Sequence, residues 1–304
     1  MDMFDNNIDI NKYKVFLAVA DFQSFSKAAE YLCISQPAIS HSIKELEDQL
    51  NTKLFIRTKK NIFLTEEGEK IKTYIRQAFN TISLGEKTIK ENKNDLNGVI
   101  RIGIYSHISL LMLPESIKEF KKQYPKSKFS IYSGSTLDML DKFKNNEIDF
   151  LVMHYPIFIN DKNITEEIIC NLETCFYGNK YYYDLYNNNS KNITEIPTIL
   201  PMRGFPDINK LEETLKNNNI ILAHDYTSYT SELAIELVKN GLGIGWGITK
   251  CLEKELNNKT LYKLETKFKM PLSIFSIAYD ESTLNKTTKE FIKLFKEKVK
   301  EISK

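Results

Sequence analysis

Long apolar runs are missing from this chain of 304 residues. No stretch approaches the roughly 18 consecutive apolar residues of a membrane-spanning helix, so we expect no membrane partner. The opening MDMFDNNIDINKYK has neither a basic start nor an apolar run, and therefore predicts no signal peptide. The formal net charge is only +2, so any contact with nucleic acid requires a local cluster of cations. These absences predict a cytoplasmic protein.

Cysteine, metal-binding and catalytic patterns are also sparse. The cysteines are Cys33, Cys170, Cys175 and Cys251. They form no CxxC motif and no zinc spacing, so free thiols are expected, although the short separation of Cys170 and Cys175 leaves a redox sensor as an alternative. HExxH, GxSxG and Gly-rich phosphate loops are absent from the sequence. No acid lies at a spacing from His107, His154 or Ser106 that would indicate a catalytic group. We therefore expect no enzyme, no metal and no cofactor.

What the chain does contain is an amphipathic stretch, SQPAISHSIKELEDQL, over residues 35–50. In a helix, its branched apolar side chains would form one stripe; they are Ile39, Ile43, Leu46 and Leu50. Small polar groups would lie on the outer face near the N-terminal end, and the acids would lie near the other end. Such a face is often only solvated, so its meaning depends on the elements around it.

The surrounding residues predict a winged helix-turn-helix over residues 1–65. SFSKAAEYL predicts a helix capped by Ser26, with a tight turn into the amphipathic helix. NTKLFIRTKKNIFLT predicts a hairpin in which Leu54 and Ile56 alternate and Lys59 and Lys60 form the tip. Two helices, a tight turn and a hairpin are the arrangement of this DNA-binding motif.

A long helix and a polar hinge are predicted over residues 66–97. Thr65 is a suitable N-cap, and acids follow it in the first turn. The apolar positions are spaced alternately by four and three residues, as in a coiled coil. They are Ile71, Ile75, Ala78, Ile82, Gly85 and Ile89. This seam predicts pairing with a second copy of the chain; packing on the protein's own core is the alternative.

Residues 98–304 alternate strand and helix patterns and predict a two-lobed α/β domain. Lobe I is expected over about 98–169 and 269–304, and lobe II over about 170–268. The strand LSIFSIAYD would return the chain to lobe I. A cleft is expected between the lobes, at the carboxyl ends of the parallel strands.

Residues 16–69 resemble the DNA-binding head of the LysR-type transcriptional regulators, through the ordered blocks SFSKAAEYL, SQPAISHSIKELE, LFxR and LTEEG. GIYSHIS, LPESIKEFKKQYP, GSTLDMLDKFKNNEIDF and VKNGLGIGW resemble the family's effector domain, similar in fold to type 2 periplasmic binding proteins. The resemblance implies an α+β multidomain protein with a winged helix-turn-helix, a linker helix and a two-lobed effector domain. It also implies a homodimer through the linker helix, a dimer of dimers, and promoter DNA and RNA polymerase as partners.

The resemblance implies that the amphipathic helix enters the major groove of DNA by its N-terminal end. The residues expected to contact DNA there are Ser35, Gln36, Pro37, Ser40, His41 and Lys44. The wing cations expected to contact phosphate or the minor groove are Lys53, Arg57, Lys59 and Lys60. Many relatives carry arginine where His41 stands, which predicts a weaker phosphate or guanine contact here.

A small-molecule effector, expected to be anionic, is implied for the cleft. The candidates in lobe I are Ser106, His107, Ser133, Ser135 and Thr136, and those in lobe II are Met202, Arg203, Tyr226, Thr227 and Trp246. Ser106 and Ser135 would hold a carboxylate, with Arg203 as its counter-charge. The alternatives are that the serines only cap helices, that Arg203 pairs with a surface acid, and that Trp246 belongs to the core.

Overall fold

The structure is a computed structural model that describes residues 8–58, 61–90, 98–159, 161–188, 192–202, 206–222 and 224–302. The chain divides into two compact units. Unit 1 is Met1–Ile89 with Lys144–Asn146, and unit 2 is Lys90–Phe143 with Glu147–Lys304. Each unit has an apolar core of its own. Among the described residues, no helix has the length and apolar character needed to cross a membrane.

Unit 1 consists of short helices, a hairpin and a long helix. Its elements are α1 (Ile10–Phe22), α2 (Phe25–Leu32), α3 (Gln36–Gln49), β1 (Phe55–Arg57), β2 (Ile62–Leu64) and α4 (Glu66–Lys90). β1 and β2 pair antiparallel, with Phe55 opposite Leu64. The predicted winged helix-turn-helix, followed by a long helix, is therefore confirmed.

Hydroxyl side chains cap the N-terminal ends of two of these helices. Ser24 Oγ accepts a hydrogen bond of 3.3 Å from the N–H of Lys27, and Ser24 has the extended backbone of an N-cap. Ser26 lies inside α2, so its prediction as the cap is wrong. At the start of α4, Thr65 Oγ1 accepts a hydrogen bond of 2.9 Å from the N–H of Gly68, as expected.

The apolar stripe of α3 lies at the centre of the unit 1 core. Ile39, Ile43 and Leu46 are fully buried, and they belong to one cluster with side chains of α1, α2 and the start of the hairpin. Burying three such side chains contributes about 1.5–3 kcal/mol each. The stripe therefore fixes which face of α3 remains in solvent.

The hairpin differs from its predicted alternation. Leu54 and Phe55 are both buried, while Ile56 is 53% exposed. The reason lies in α3, where Glu47 Oε1 accepts hydrogen bonds from the N–H groups of Leu54 and Phe55, at 2.9 and 3.2 Å. These bonds hold the chain before β1 out of the regular alternation of a strand, so Phe55 takes the inward position.

The predicted seam of α4 has two parts. Ile75 is buried in the unit 1 core and Ile71 packs against that core. Further along, Ala78, Ile82 and Gly85 are exposed, with Ile82 at 45%. The first turns of α4 thus pack on the protein's own core, which was the alternative to pairing. The later turns present apolar side chains to solvent.

Unit 2 alternates strands and helices. Its elements are β3 (Val99–Ile104), α5 (Ser106–Gln123), β4 (Lys128–Tyr132), α6 (Thr136–Lys144), β5 (Phe150–His154), β6 (Ile164–Gly178), α7 (Lys180–Asn187), β7 (Thr198–Pro201), α8 (Pro206–Asn217), β8 (Tyr226–Ser228), α9 (Ser231–Lys239), β9 (Ile244–Ile248), α10 (Glu253–Asn257), β10 (Tyr262–Leu264), β11 (Leu272–Asp280) and α11 (Lys286–Ile302). The predicted returning strand, LSIFSIAYD, is β11.

The strands of unit 2 form one sheet in the order β4-β3-β5-β11-β6-β9-β7-β8, with β10 paired to β6. β3 is parallel to β4 and β5, and β7 is parallel to β8 and β9. β6 and β11 run antiparallel through the middle and join the two parallel groups. The result is the predicted two-lobed α/β domain with two crossings between the lobes.

The two lobes have separate apolar cores. Lobe I buries Phe150, Phe275 and Phe291 between the sheet and helices α5 and α11. Lobe II buries Phe176 and Trp246 beside the side chains of α8. Two cores joined by two long strands leave room for a cavity where the lobes face each other.

Candidate functional site

The N-terminal end of α3 presents polar side chains to solvent. Gln36, Pro37, His41 and Lys44 are exposed and Ser40 is half-buried. All lie away from the buried stripe of the same helix. The helix start is built as predicted, because Ser35 Oγ accepts a hydrogen bond of 3.4 Å from the N–H of Ala38 and Pro37 occupies the first turn.

An acidic side chain of the same helix also lies close to this surface. Glu45 Oε2 is 3.5 Å from His41 Nδ1 and 3.2 Å from Lys12 Nζ. The acid one turn along α3 therefore offers His41 an ion-pair partner whenever the imidazole is protonated.

The wing cations differ from one another in their surroundings. Lys53 Nζ lies 2.8 Å from Glu47 Oε2. The guanidinium of Arg57 lies over the ring of Phe25, 4.5 Å from its centroid. Lys59 and Lys60 lie outside the described residues.

A cavity of about 1010 Å³, including its open mouth, lies between the lobes of unit 2. Ser106 and His107, at the start of α5, line it from lobe I, and Trp246 lines it from β9 of lobe II. The structure thus brings these three predicted residues together. Arg203 lies outside the described residues.

The other predicted effector residues that the structure describes do not line this cavity. Ser135 Oγ caps α6 by accepting from the N–H of Asp138 at 3.1 Å. Ser133 Oγ donates to the carbonyl oxygen of Ile104 at 2.6 Å. Ser135 thus caps a helix, as the alternative predicts, whereas Ser133 is bonded to the end of β3.

Four further candidates lie outside the cavity lining. Thr136 Oγ1 lies 2.7 Å from the hydroxyl of Tyr105, which does line the cavity. Met202 follows β7, and Tyr226 and Thr227 belong to β8, with all three side chains exposed. The residue of this strand that reaches the cavity is Ser228.

Two carboxylates of the wall were missed by sequence reasoning. Asp207 lies in the first turn of α8 and Glu232 in the first turn of α9. The signal that could have found them is their position, since each begins a helix shortly after a parallel strand ends. Glu232 Oε1 accepts a hydrogen bond of 3.0 Å from Ser106 Oγ, and this bond joins the two lobes.

A buried histidine–carboxylate pair forms part of the wall. His154 Nδ1 lies 3.1 Å from Asp207 Oδ2, which also accepts a hydrogen bond from Ser273 Oγ. The rings of His107 and His154 stack with centroids 6.2 Å apart. Burial, and secondarily the neighbouring His154, lower the pKa of His107 to about 4. His107 is therefore neutral at pH 7.

The redox alternative for Cys170 and Cys175 does not fit the fold. Both lie on β6, where Cys170 pairs with Phe275 and Cys175 with Gly247. Five residues of extended strand span about 16 Å, well beyond the roughly 7 Å limit between the Cα atoms of a disulfide. Both thiols are buried, and burial raises the pKa of Cys175. The described residues hold no group of three His, Cys, Asp or Glu that could bind a metal.

A winged helix-turn-helix joined through a long helix to a two-lobed domain with a cavity defines a class of ligand-responsive DNA-binding regulators. Residues 10–69 match the family model described as "Bacterial regulatory helix-turn-helix protein, lysR family". Residues 93–300 match the one described as "LysR substrate binding domain". The chain belongs to the LysR family of transcriptional regulators.

Individual relatives agree with this assignment. YvbU of Bacillus subtilis, an uncharacterized HTH-type transcriptional regulator, is 34% identical over 148 residues, which are 48% of this chain and only 51% of that protein. The HTH-type transcriptional regulator YofA of Bacillus velezensis is 28% identical over 82% of this chain and 84% of its own. The structure of a full-length OxyR variant from Pseudomonas aeruginosa superimposes with a TM-score of 0.69 at 18% identity, over 96% of this chain and 95% of that one. At that identity the likeness concerns the fold alone.

Proposed function

We propose that this protein binds promoter DNA sequence-specifically and that a small molecule in the cavity of unit 2 modulates this binding. The observation that carries the proposal is the exposed polar N-terminal end of α3, held outward by a fully buried stripe. A helix presented in this way fits a major groove, whose base edges offer hydrogen-bond donors and acceptors.

In this proposal the residues of α3 divide by role. Gln36, Ser40 and Lys44 contact base edges, with His41 beside them and Pro37 against a thymine methyl. The residues assigned to phosphate are Ser35, Lys53, Arg57, Lys59 and Lys60. Lys53 can serve both Glu47 and DNA because an ammonium group has three donors.

The effector is assigned to the cavity between the lobes. Its direct contacts are assigned to Ser106, His107 and Trp246, which line this cavity. A ligand that enters there meets the Ser106–Glu232 hydrogen bond, so binding and the separation of the lobes are coupled. Ser133, Ser135 and Thr136 support the wall from behind, and no resident cofactor is assigned to the protein.

Self-association through α4 belongs to the same proposal. The exposed later part of the seam, around Ile82, supports pairing with a second copy of the chain. We assign a homodimer that assembles as a dimer of dimers, acts in the cytoplasm, contacts RNA polymerase at the promoter and has no enzymatic activity.

The α3 assignment is tested by Ser40→Ala and Lys44→Ala, which are expected to weaken binding to a promoter selected from genomic fragments. Removing Lys44 takes away one cation close to the DNA, so the slope of log K against log salt falls by about 1. Removing the Ser40 hydroxyl lowers affinity for the selected sequence more than for unrelated DNA. Footprinting and salt titration provide the measurements.

The matched control is Lys70→Ala, because Lys70 is an exposed cation of unit 1 that pairs with Glu66 on α4. It should leave the footprint and the salt slope near those of the wild type. Unchanged footprints for both α3 variants would refute the placement of α3 in the groove.

A further inference from the structure

The charged side chains in the cavity wall are acidic. Among the described residues of the lining, Asp207 and Glu232 carry carboxylates and none is lysine or arginine. The pKa of His107 is about 4, mainly because of burial, and this imidazole is neutral at pH 7. His154 already has the carboxylate of Asp207 within 3.1 Å. An anionic ligand would therefore meet no unpaired cation on this part of the wall.

Acidic side chains of the protein also lie at the N-terminal ends of helices around the cavity. α6, α8 and α9 carry Asp138, Asp207 and Glu232 in their first turns. A helix N-terminus stabilises one nearby negative charge, and here a side chain provides it. α5 has no acid in its first turn, but Ser106 at its start donates to Glu232 across the cavity. At three of these four helix starts, the position that would attract an anion is thus already occupied by an acidic side chain.

Besides His154 Nδ1, which faces Asp207 Oδ2 at 3.1 Å, two buried polar atoms in the wall lack a hydrogen-bond partner among the described residues. They are Asp207 Oδ1 and Trp246 Nε1, and each residue is only 6% exposed. A buried polar atom without a partner costs free energy, more so when it belongs to a charged group. Asp207 Oδ1 requires a donor, preferably a cationic one. Trp246 Nε1–H requires an acceptor and gives no information about the charge of a ligand.

The aromatic side chains of the wall also favour a positively charged ligand. Tyr105 and Tyr229 line the cavity together with Trp246. The face of an aromatic ring attracts a cation and packs well against an apolar body. The wall therefore combines carboxylates for a positive group with rings for the rest of a ligand.

We propose that the cavity binds a small organic cation, a protonated amine on an apolar body, with the ammonium group donating to Asp207 Oδ1 and the side chain of Glu232. This inference rests on the proposed effector site and specifies the charge of its ligand. It differs from the anionic effector expected from the family resemblance. Binding of an amine to Glu232 would compete with the Ser106 hydrogen bond and so bias the contact between the lobes.

The test uses the full-length chain and three probes of similar shape: phenethylamine, 2-phenylethanol and 3-phenylpropionate. Trp246 is the only tryptophan of the sequence, so tryptophan fluorescence reports directly on the cavity. The expected order of affinity at pH 7 is cation, then neutral alcohol, then anion. We expect the dissociation constant of phenethylamine to be at least about tenfold lower than that of 3-phenylpropionate.

Two variants test whether the preference for the cationic probe depends on Asp207 and Glu232. Asp207→Asn and Glu232→Gln should each weaken phenethylamine binding about tenfold and leave 2-phenylethanol nearly unchanged, because only the charged probe loses its partner. Glu236→Gln is the control, since Glu236 lies one turn further along α9 and pairs with Lys239. Circular dichroism and thermal melts establish that the variants fold, and Glu232→Gln keeps the test valid if the buried Asp207 proves essential for folding.

The inference is overturned if 3-phenylpropionate binds as tightly as phenethylamine, if phenethylamine does not bind, or if both carboxylate variants bind it like the wild type. The proposed function is tested separately by footprinting. A protein that footprints a promoter but prefers the carboxylate loses only this inference. A protein that binds phenethylamine but no promoter fragment retains the cation site and loses the proposed regulation.

Discussion

At the scale of single residues, Glu47 decides how the wing is attached to α3. Its carboxylate is 4% exposed, accepts the N–H groups of Leu54 and Phe55, and lies 2.8 Å from Lys53 Nζ. Burial would raise the pKa of Glu47, but the hydrogen bonds from Lys53, Leu54 and Phe55 outweigh burial and lower it. One buried acid therefore positions the hairpin relative to the exposed face of α3.

Glu47→Gln should destabilise unit 1 by about 1–3 kcal/mol, because a charged acceptor for buried N–H groups is lost. The measurement is amide hydrogen exchange at Leu54 and Phe55, which isolates unit 1 from unit 2. Glu45→Gln is the control, since Glu45 is exposed on the same helix. Equal protection of both amides in Glu47→Gln and wild type would contradict this role.

The same residue gives a pH dependence. The folded-state pKa of Glu47 lies below the ordinary value of 4.5, so its stabilising contribution is present above that value and is lost as the pH falls through the folded pKa. Thermal melts should show wild-type unit 1 losing stability below about pH 4.5 more steeply than Glu47→Gln does. Parallel pH profiles for the two proteins would exclude Glu47 as the source.

At the scale of elements, α4 serves two purposes along its length. Ile71 and Ile75 complete the unit 1 core, whereas Ile82, two turns beyond Ile75, is exposed. A heptad pattern by itself does not distinguish these uses, because both require apolar residues at the same spacing. The division follows from where the core of the head ends.

If α4 pairs as proposed, Ile82→Glu should weaken dimerisation by about 30-fold or more, because a charge would replace a central apolar side chain of the proposed helix pair. Sedimentation equilibrium measures this change. Thr73→Glu introduces the same charge at an exposed position away from the seam and should leave the dimer intact. Dimerisation of Ile82→Glu with wild-type affinity would place the interface elsewhere.

At the scale of the whole molecule, unit 2 depends on two long strands. β6 and β11 pair along their length and pass from one lobe core to the other. Cys170 belongs to the lobe I core and Cys175 to a core of lobe II. The strand that joins the lobes therefore separates the two thiols and buries both.

Peroxide treatment of the native protein should leave Cys170 and Cys175 reduced and should modify Cys33 first, because Cys33 is the exposed thiol among the four cysteines. Burial also raises the pKa of Cys251 to about 12, which keeps it protonated and unreactive at neutral pH. Mass spectrometry after thiol blocking identifies the modified residue. A disulfide between Cys170 and Cys175 would contradict the arrangement of β6.

Sequence reasoning predicted the fold better than the cavity wall. The α3 stripe, the Thr65 cap and the returning strand β11 follow from local patterns, which is why they agree with the structure. Ser26 and Ile56 were misassigned because the N-cap backbone and the Glu47 hydrogen bonds decide those positions. The residues of the cavity wall were harder to predict, since they come together from the N-terminal ends of separate helices.

The sequence by itself determined the order of the elements, the buried side of α3 and the two-lobed α/β domain, because periodicity and capping act over a few neighbouring residues. Only the tertiary structure decided that Asp207, Glu232 and Trp246 line one cavity, that Ser135 caps a helix instead, and that the seam of α4 divides. Those outcomes depend on contacts between residues far apart in the chain. Such contacts are set by strand order and by the packing of the two lobes, and they leave no local pattern in the sequence.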